Sequence, residues 1–472
     1  MQGVSNRVNG GTMGTDLIAI TGVAARCAGA ENVNEYWRLL SAGRPQFRAV
    51  PDDRWARRET DRFPGRDNLS YSHTMAPVAD PFELDAGRFR IPKARAKRMD
   101  PQQRMAINLV DELLGRNSVG DQPQKDRRIA TIIGVSSTDY RSISTAPVVS
   151  DLLVDGTLGN GSPTERRIVR DVANVAVQPM SGHTMPGVLA NMIPAAVQST
   201  FNLNGPAFSV DSACASSLTA IEMACAMLQL KRTRACIAGG VYTALTPEAH
   251  VGFSAIGALS RTGQCRPFTS VANGFVIGEG GAMVLLKRLD DALEDGDDIL
   301  GIIRALGSSN DGRAEGVMTP TVSGQINAIE EAARVSGGVS LEVDAIEGHG
   351  TGTVVGDRTE LETIHQAYAD RVSRDPIRLG SVKAVIGHTM AASGALAVVK
   401  AVLSLIHNRW PAQPVEDQIV PHSLLEATGV RLTESALDKP ARIRRVAVNS
   451  FGFGGTNSHI VIETPEEVVT HA

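Results

Sequence analysis

The pattern that most constrains this chain occurs twice along it. Short apolar runs, too short to be core helices, alternate with longer segments of helical spacing. The first set covers 17–23, 129–135, 207–210 and 236–241, with a helix starting at 35–40 and a long small-residue helix directly after 210. The second set covers 302–306, 343–346, 377–382 and 446–450, again with a small-residue helix behind its third member. Buried strands alternating with helices predict α/β layers rather than a sandwich or a bundle. Two matching quartets with unequal loops predict an internal duplication.

A chain of 472 residues buries enough surface to need no disulfide or metal staple. With 42% hydrophobic and 21% charged residues it is ordinary globular material, which excludes wholesale disorder. Lys and Arg number 47 against 51 Asp and Glu, so the net charge of −4 argues against nucleic acid as a partner. Five cysteines, an odd number with no CxxC, fit neither a disulfide framework nor a zinc site and suit a reducing cytoplasm. The first fifteen residues lack the apolar core of a signal peptide. The longest apolar run, 394–406, is too short to span a membrane and carries Lys400 inside it.

Residues 44–100 hold six prolines and many charges, and six basic residues crowd into 88–98. A solvated face is the commoner meaning of such a run; a docking patch for an acidic partner is the sharper one. Residues 141–185 are expected to form an irregular insertion. The ends, 1–14 and 466–472, are expected to be flexible tails around two units, 15–290 and 291–465.

Four segments carry candidate chemistry. In Asp211-Ser212-Ala213-Cys214-Ala215-Ser216-Ser217 a strand gives way to a helix, which puts Cys214 at a helix N-terminus among small neighbours. The helix dipole and free N–H groups there predict a lowered thiol pKa and a nucleophile; a buried core cysteine is the alternative. Cys225 lies eleven residues on, on the same helix face, and reads as core. Glu347-Gly348-His349-Gly350-Thr351-Gly352-Thr353 presents a histidine and two hydroxyls in a glycine turn after a strand. The threonines suit an extended, amide-bearing substrate. Downstream, Asp357-x-x-Glu360 has the form of a capping box with Asp357 as the cap. Lys383 precedes Gly387-His388-Thr389-Met390 in a second strand, turn and helix. Finally, Phe451-Gly452-Phe453-Gly454-Gly455 forms a loop able to line an apolar channel and offer a backbone N–H, and His459 beyond it reads as structural. A helix-start cysteine with two turn histidines fits nucleophilic catalysis with imidazole assistance.

Taken together, these segments resemble the signature regions of β-ketoacyl synthases, the ketosynthase units of polyketide and fatty acid synthases. The resemblance runs from Leu17 to Glu463 and includes Met99-Asp100-Pro101-Gln102-Gln103-Arg104 and Cys265-Arg266-Pro267-Phe268. It implies the thiolase fold: two similar βαβαβαββ halves in a five-layered α/β/α/β/α arrangement, usually a cytoplasmic homodimer. By resemblance Cys214 is the acyl-accepting nucleophile. His349 and His388 support malonyl decarboxylation, and Lys383 orders the site. Thr351 and Thr353 lie near a phosphopantetheine arm. Phe451, Phe453 and Gly454 belong to the gating loop, whose N–H joins that of Cys214 in an oxyanion hole. The implied partner is an acyl carrier protein bearing the phosphopantetheine. No cofactor or metal of the enzyme's own is implied, and no membrane contact. Asp211 to Ser217 stands nearer the polyketide than the bacterial fatty acid type, as in antibiotic biosynthesis. No acyltransferase, carrier or reductase motif accompanies it, so a discrete or an excised ketosynthase is expected.

The sequence departs from the family pattern at Gly348, Arg358, Asn273, Met390 and at Arg26-Cys27-Ala28-Gly29. None of these removes the cysteine or either histidine. Three classes compete: a non-elongating acyl-transferring relative, a scaffold protein resembling a chain-length factor, and a cysteine hydrolase. The retained histidines weigh against the first, Cys214 against the second, and the whole-chain resemblance against the third.

Overall fold

The computed structural model describes residues 17–52, 54–55, 69–115, 127–154, 162–164, 167, 171, 179–314, 316, 318–369, 375–414, 422–433 and 442–466. Of the expected tails 1–14 and 466–472, all but Glu466 lies outside the described residues.

Fourteen strands are present among the described residues: β1 (Ile18–Cys27), β2 (Arg48–Ala49), β3 (Thr74–Ala76), β4 (Ile129–Gly134), β5 (Ala207–Val210), β6 (Ala235–Tyr242), β7 (Ile277–Gly278), β8 (Gly280–Arg288), β9 (Gly301–Asn310), β10 (Ala345–Glu347), β11 (Ile377–Gly380), β12 (Val430–Leu432), β13 (Arg445–Phe451) and β14 (Thr456–Glu463). Eleven of them make one sheet in the order β12-β11-β10-β13-β14-β9-β1-β8-β6-β4-β5, while β2, β3 and β7 form a small second sheet.

The duplication is visible in this order. Outward from the central β1–β9 junction, the first half runs β1, β8, β6, β4, β5 and the second runs β9, β14, β13, β10, β11. Numbered within its half, and leaving out β12, which extends the second half's edge, each series reads first, fifth, fourth, second, third. The pairing senses also match: antiparallel, antiparallel, parallel, parallel. The halves join where Ile18, Ala19 and Ile20 pair antiparallel with Ile303, Ile302 and Gly301.

Helices complete the layers. Pro101–Gly115 and Met192–Phe201 cover the outer face of the first half, and Val322–Ser336 and Val354–Ala367 that of the second. Ser216–Gln229 and Ser393–Ile406 lie between the halves, packed on each other and on strands of both. This is the thiolase fold. No described helix is long and apolar enough to cross a membrane.

Both central helices begin alike. Each follows the third strand of its half and opens with a 3-10 turn, Ala213–Ala215 in one and Met390–Ala392 in the other. The first residue of each turn has positive φ, 52° at Ala213 and 43° at Met390, an uncommon state for residues with a Cβ. The two turns touch across the middle layer. Ala395 N–H donates to Ser217 Oγ at 2.9 Å. Only a glycine fits at 240, where a Cβ would come 2.5 Å from the Ala391 carbonyl oxygen.

The structure corrects three expectations. β8 lies outside the two sets of runs above, and is a strand buried on both faces with an apolar run behind two glycines. Residues 141–154, expected to be irregular, belong to the helix Asp139–Val154, which runs through Pro147. The cap of the helix after the His349 turn is Thr353, whose hydroxyl accepts from Gly356 N–H, and not Asp357. The basic stretch is partly spent inside the molecule: Arg88 pairs with Asp111, and Arg98 donates to the Pro179 carbonyl.

Gly240→Ala should lower stability by about 1–3 kcal/mol through overpacking of backbone against backbone. Thermal melting beside the unaltered protein measures it, and an unchanged midpoint would contradict the close approach.

Candidate active site

Cys214 is built onto its turn by local bonds. Asp211 Oδ1 accepts from Ala213 N–H at 2.9 Å, and Ser216 Oγ accepts from Ser212 N–H at 2.9 Å while donating to the Ala213 carbonyl at 2.6 Å. Ser450 Oγ on β13 donates to the Cys214 carbonyl at 2.8 Å. The thiol is therefore fixed from both halves.

His388 follows Gly387, whose φ of 70° turns the chain. Its backbone is stitched to the Val276–Gly278 segment by His388 N–H to Val276 O at 2.7 Å and Gly278 N–H to His388 O at 2.9 Å. Nε2 lies 3.1 Å from Cys214 Sγ. Nδ1 accepts the Met390 N–H at 3.3 Å. Burial, helped by the Lys383 charge, holds this imidazole well below its usual pKa, so the ring is neutral. A neutral ring accepting at Nδ1 carries its proton on Nε2. His388 thus donates toward the sulfur and is not set to take the thiol proton.

His349 stands edge-on to His388 with ring centroids 5.5 Å apart. Burial, then Lys383 and His388, push its pKa well down, and its Nδ1 is buried without a hydrogen-bond partner. Glu360 grips its turn from below, accepting from His349 N–H and Gly350 N–H at 2.8 Å each. Lys383 Nζ donates to the His349 carbonyl at 2.6 Å. The Phe451 ring lies 5.6 Å from His349, and Phe275 lies 5.2 Å edge-on to His388.

Cys214, His349 and His388 line one cavity of about 480 Å³, together with Thr351, Thr353, Phe451 and Phe453. The Thr351 and Thr353 hydroxyls bond each other at 2.9 Å. Phe453 is partly exposed and meets Phe253 at 5.9 Å, so it stands at the mouth. Gly454, expected beside the substrate, is outside the lining. It supplies a turn with φ of 96°, and its carbonyl is held by Asn310 Nδ2 at 3.0 Å. Lys383 lies beneath the cavity, fully buried.

One electrostatic expectation is overturned. The Cys214 thiol is not acidic in the resting site: burial pushes it up to about 11. The Lys383 charge and hydrogen bonds from the backbone N–H groups of Phe453 and Cys214 oppose the rise without cancelling it. The thiol is buried, and desolvating an anion there outweighs the favourable donors. Cys225 is buried core, as its helix position implies.

Sequence reasoning gave no active-site role to Glu360, Asn449 or Lys400. Asn449 Nδ2 donates to Glu360 Oε1 at 2.9 Å and its Oδ1 meets His459 Nδ1 at 2.7 Å, so a polar chain runs from β14 to the His349 turn. Lys400 had a visible signal, a lysine inside an apolar helical run.

Comparison with known proteins agrees with this geometry. Residues 15–292 match the family description "Beta-ketoacyl synthase, N-terminal domain" and 300–415 match "Beta-ketoacyl synthase, C-terminal domain". One phenolphthiocerol/phthiocerol polyketide synthase chain of Mycobacterium tuberculosis is 34% identical over 464 residues, which is 96% of this chain and 28% of that protein. A second polyketide synthase chain of the same name and organism is 34% identical over 462 residues, and 23% of its length is covered. The chain therefore spans about a quarter of these relatives. Among solved structures, an oxazolomycin ketosynthase domain of Streptomyces albus JA3453 superposes with TM-score 0.79 at 28% identity, covering 95% of this chain and 75% of that one. The ketosynthase from module 6 of the bacillaene synthase of Bacillus subtilis 168 gives 0.77 at 30%, covering 95% and 72%.

A thiol raised to about 11 should react with iodoacetamide faster by about tenfold per pH unit from about pH 7 to about 10, because only the thiolate reacts. Lys383→Met removes a cation that lowers this pKa and should slow labelling at any fixed pH. Mass spectrometry of the Cys214 peptide reads both, and a plateau near pH 8.5 would contradict the buried, protonated thiol.

Proposed function

Because this chain belongs to the β-ketoacyl synthase family, we propose that it condenses an acyl group held on Cys214 with a malonyl-type thioester on an acyl carrier protein, in polyketide biosynthesis. The observation that carries the reading is the His388 hydrogen-bond pattern: Nδ1 occupied by Met390 N–H, Nε2–H directed at Cys214 Sγ, and His349 on the far side. A hydrolase would need an imidazole that accepts the thiol proton. A decarboxylating condensing enzyme needs imidazoles that donate.

The steps balance as follows. An acyl carrier thioester enters, its chain leaving through the cavity mouth near Thr351, Thr353 and Phe453. The Cys214 sulfur attacks the thioester carbon, and the tetrahedral oxyanion takes hydrogen bonds from the N–H groups of Cys214 and Phe453. Two such donors contribute a few kcal/mol, about 3 each, to the transition state. The carbon–sulfur bond to the carrier breaks, and the thiol proton leaves with the phosphopantetheine sulfur. The malonyl thioester then enters. Its carboxylate carbon departs as CO2, and the electron pair remains as an enolate whose oxygen is held by N–H groups of His349 and His388. Lys383 fixes the His349 carbonyl and adds positive charge nearby. The enolate carbon attacks the acyl carbon, the bond to Cys214 breaks with its electron pair passing to the sulfur, the thiolate takes a proton from water, and a β-ketoacyl carrier thioester leaves. The first unit, 15–290, supplies the nucleophile, and the second, 291–465, supplies both histidines. Five free, buried cysteines suit work in the cytoplasm.

The family reading extends to a homodimer. Among the described residues β5 ends the large sheet, unpaired on its outer side, with Ala207 exposed and Phe208 half-buried. Beside it the helix Ser216–Gln229 turns Met223 outward, and Leu230 follows at 70% exposure. An apolar edge strand flanked by an apolar helix stripe is a surface that needs covering.

Incubation with an acyl carrier donor and malonyl carrier, followed by intact mass, tests the chemistry. Cys214→Ala should abolish the acyl adduct and the β-ketoacyl product. His349→Gln should keep the adduct and slow CO2 release by about 10²-fold or more. An adduct that forms in Cys214→Ala, or CO2 release unaffected by His349→Gln, would defeat the reading.

For the dimer, analytical ultracentrifugation should give twice 50.0 kDa. Met223→Glu with Leu230→Glu should shift it to the monomer. A wild-type monomer at micromolar concentration would contradict the interface.

A further inference from the structure

Glu347 closes β10 two residues before His349 and is fully buried. Its Oε1 accepts the Val382 N–H at 2.6 Å, so it ties the strand that delivers His349 to the turn that delivers Lys383. Its Oε2 pairs with Lys400 Nζ at 2.5 Å. Lys400 comes from the middle of the central helix Ser393–Ile406, where its neighbours are Ala, Val and Leu. The ammonium also lies 4.3 Å from the Trp410 ring centroid. Gly380 lies beside them, where a Cβ would stand 3.4 Å from Nζ, an ordinary contact, and 3.3 Å from Trp410 Nε1. The Gly380 carbonyl in turn receives the Gly348 N–H at 2.9 Å.

We propose that Lys400 is a positioning residue for the decarboxylation half of the reaction, acting through Glu347 to keep Lys383 on the His349 carbonyl. This rests on the condensing role proposed above. Lys383 Nζ is the donor to the His349 carbonyl, and Glu347 is also among the charges that act on Lys383. With Lys400 present, Glu347 has its own counter-ion and Lys383 is left to the histidine turn. With Lys400 replaced by an uncharged residue, Glu347 is a buried carboxylate whose remaining cation is Lys383. A buried carboxylate that has lost its partner recruits another or takes a proton. Drawing Lys383 toward Glu347 releases the His349 carbonyl and lets the turn shift. The Cys214 elbow and the N–H groups of Cys214 and Phe453 are untouched by that movement and Lys383 keeps its charge, so acyl transfer feels only a small change in the field at the thiol.

Acetyl- and malonyl-N-acetylcysteamine thioesters separate the halves: intact mass reads acyl transfer to Cys214, and CO2 release reads decarboxylation. Lys400→Met should lower kcat for CO2 release by about 10²-fold with KM for the malonyl thioester little changed, a loss expected when a reacting group is misplaced by about 1 Å. Acyl transfer should stay within about threefold of wild type. Glu347→Gln added to Lys400→Met removes the unpaired charge while keeping an acceptor for Val382, and should restore CO2 release to within about fivefold of wild type. If Lys400→Met does not fold, Lys400→Met with Glu347→Gln is compared with Lys400→Met with Glu347→Leu. The Leu variant loses the Val382 acceptor and should be the slower by about tenfold or more in CO2 release alone. Equal losses in both half-reactions, or no recovery on adding Glu347→Gln, would overturn the proposal. Wild-type protein that takes the acyl group but never releases CO2 would instead overturn the condensing role itself, whatever the Lys400 variants do.

Discussion

The close contact between the starts of the two central helices governs this molecule. Cys214 belongs to the first half, and His349, Lys383 and His388 to the second, so neither half alone has a site. They meet because the residues at the crossing are small. Ser217 takes the Ala395 N–H, Gly240 lets the Ala391 carbonyl approach, and a Cβ at Gly394 would press on Leu218 Cγ at 2.7 Å. Ridges of larger side chains would separate the helices to the usual 8–10 Å or more and part the sulfur from the imidazole. The 3.1 Å between Cys214 Sγ and His388 Nε2 is thus a consequence of packing between duplicated units. The site is the place where the duplication closes on itself.

Burial then decides which chemistry that contact can perform. In a buried site the charged form of each group is disfavoured, so the thiol rises and both imidazoles fall. A neutral imidazole with Nδ1 occupied is a hydrogen-bond donor at Nε2. Such donors are worth most where negative charge develops without water to share it. Lys383 adds a fixed positive charge that favours a thiolate and keeps the imidazoles from protonating. The arrangement suits an anion that forms and disappears inside the pocket better than it suits a stored thiolate.

Much of this was legible in the sequence, for identifiable reasons. The strands with clean apolar edges, such as β5 and β13, announce themselves by run length. The turns carrying Cys214, His349 and His388 announce themselves by glycine and small residues at strand ends. β8 was harder to see than the equally buried β1, β4 and β6, because its apolar run is short and sits between two glycines and Lys287-Arg288. The Cys214 pKa was misread because helix position is local information and desolvation is not. A dipole can be read from a few residues, while burial depends on Phe275, Phe451 and the opposing half. Asp357 was misassigned as a cap because a capping box is a spacing rule, and the hydroxyl of Thr353 reached the free N–H first. Lys400 was conspicuous in its apolar run, but its partner lies fifty-three positions away in sequence, on another strand.

The acids below the site have a common cause in the glycine turn they hold. A Cβ at Gly348 or Gly350 would come 2.6 or 2.7 Å from the Phe268 ring, and Gly350 and Gly352 have φ of 37° and 73°. Positions 350 and 352 are therefore held to glycine, and a turn so poor in side chains has little of its own to pack it in place. Its backbone N–H groups are gripped instead. Glu360 takes those of His349 and Gly350, and Asp357 takes those of Gly352 at 3.0 Å and Phe268 at 2.6 Å. Carboxylates are the acceptors able to take two such donors at once, and they are costly to bury. The Lys383 charge offsets part of that cost for both acids, and Lys400, reaching out of the central helix, does the same for Glu347. The buried charges follow from the need to present His349 on a turn too small to hold itself.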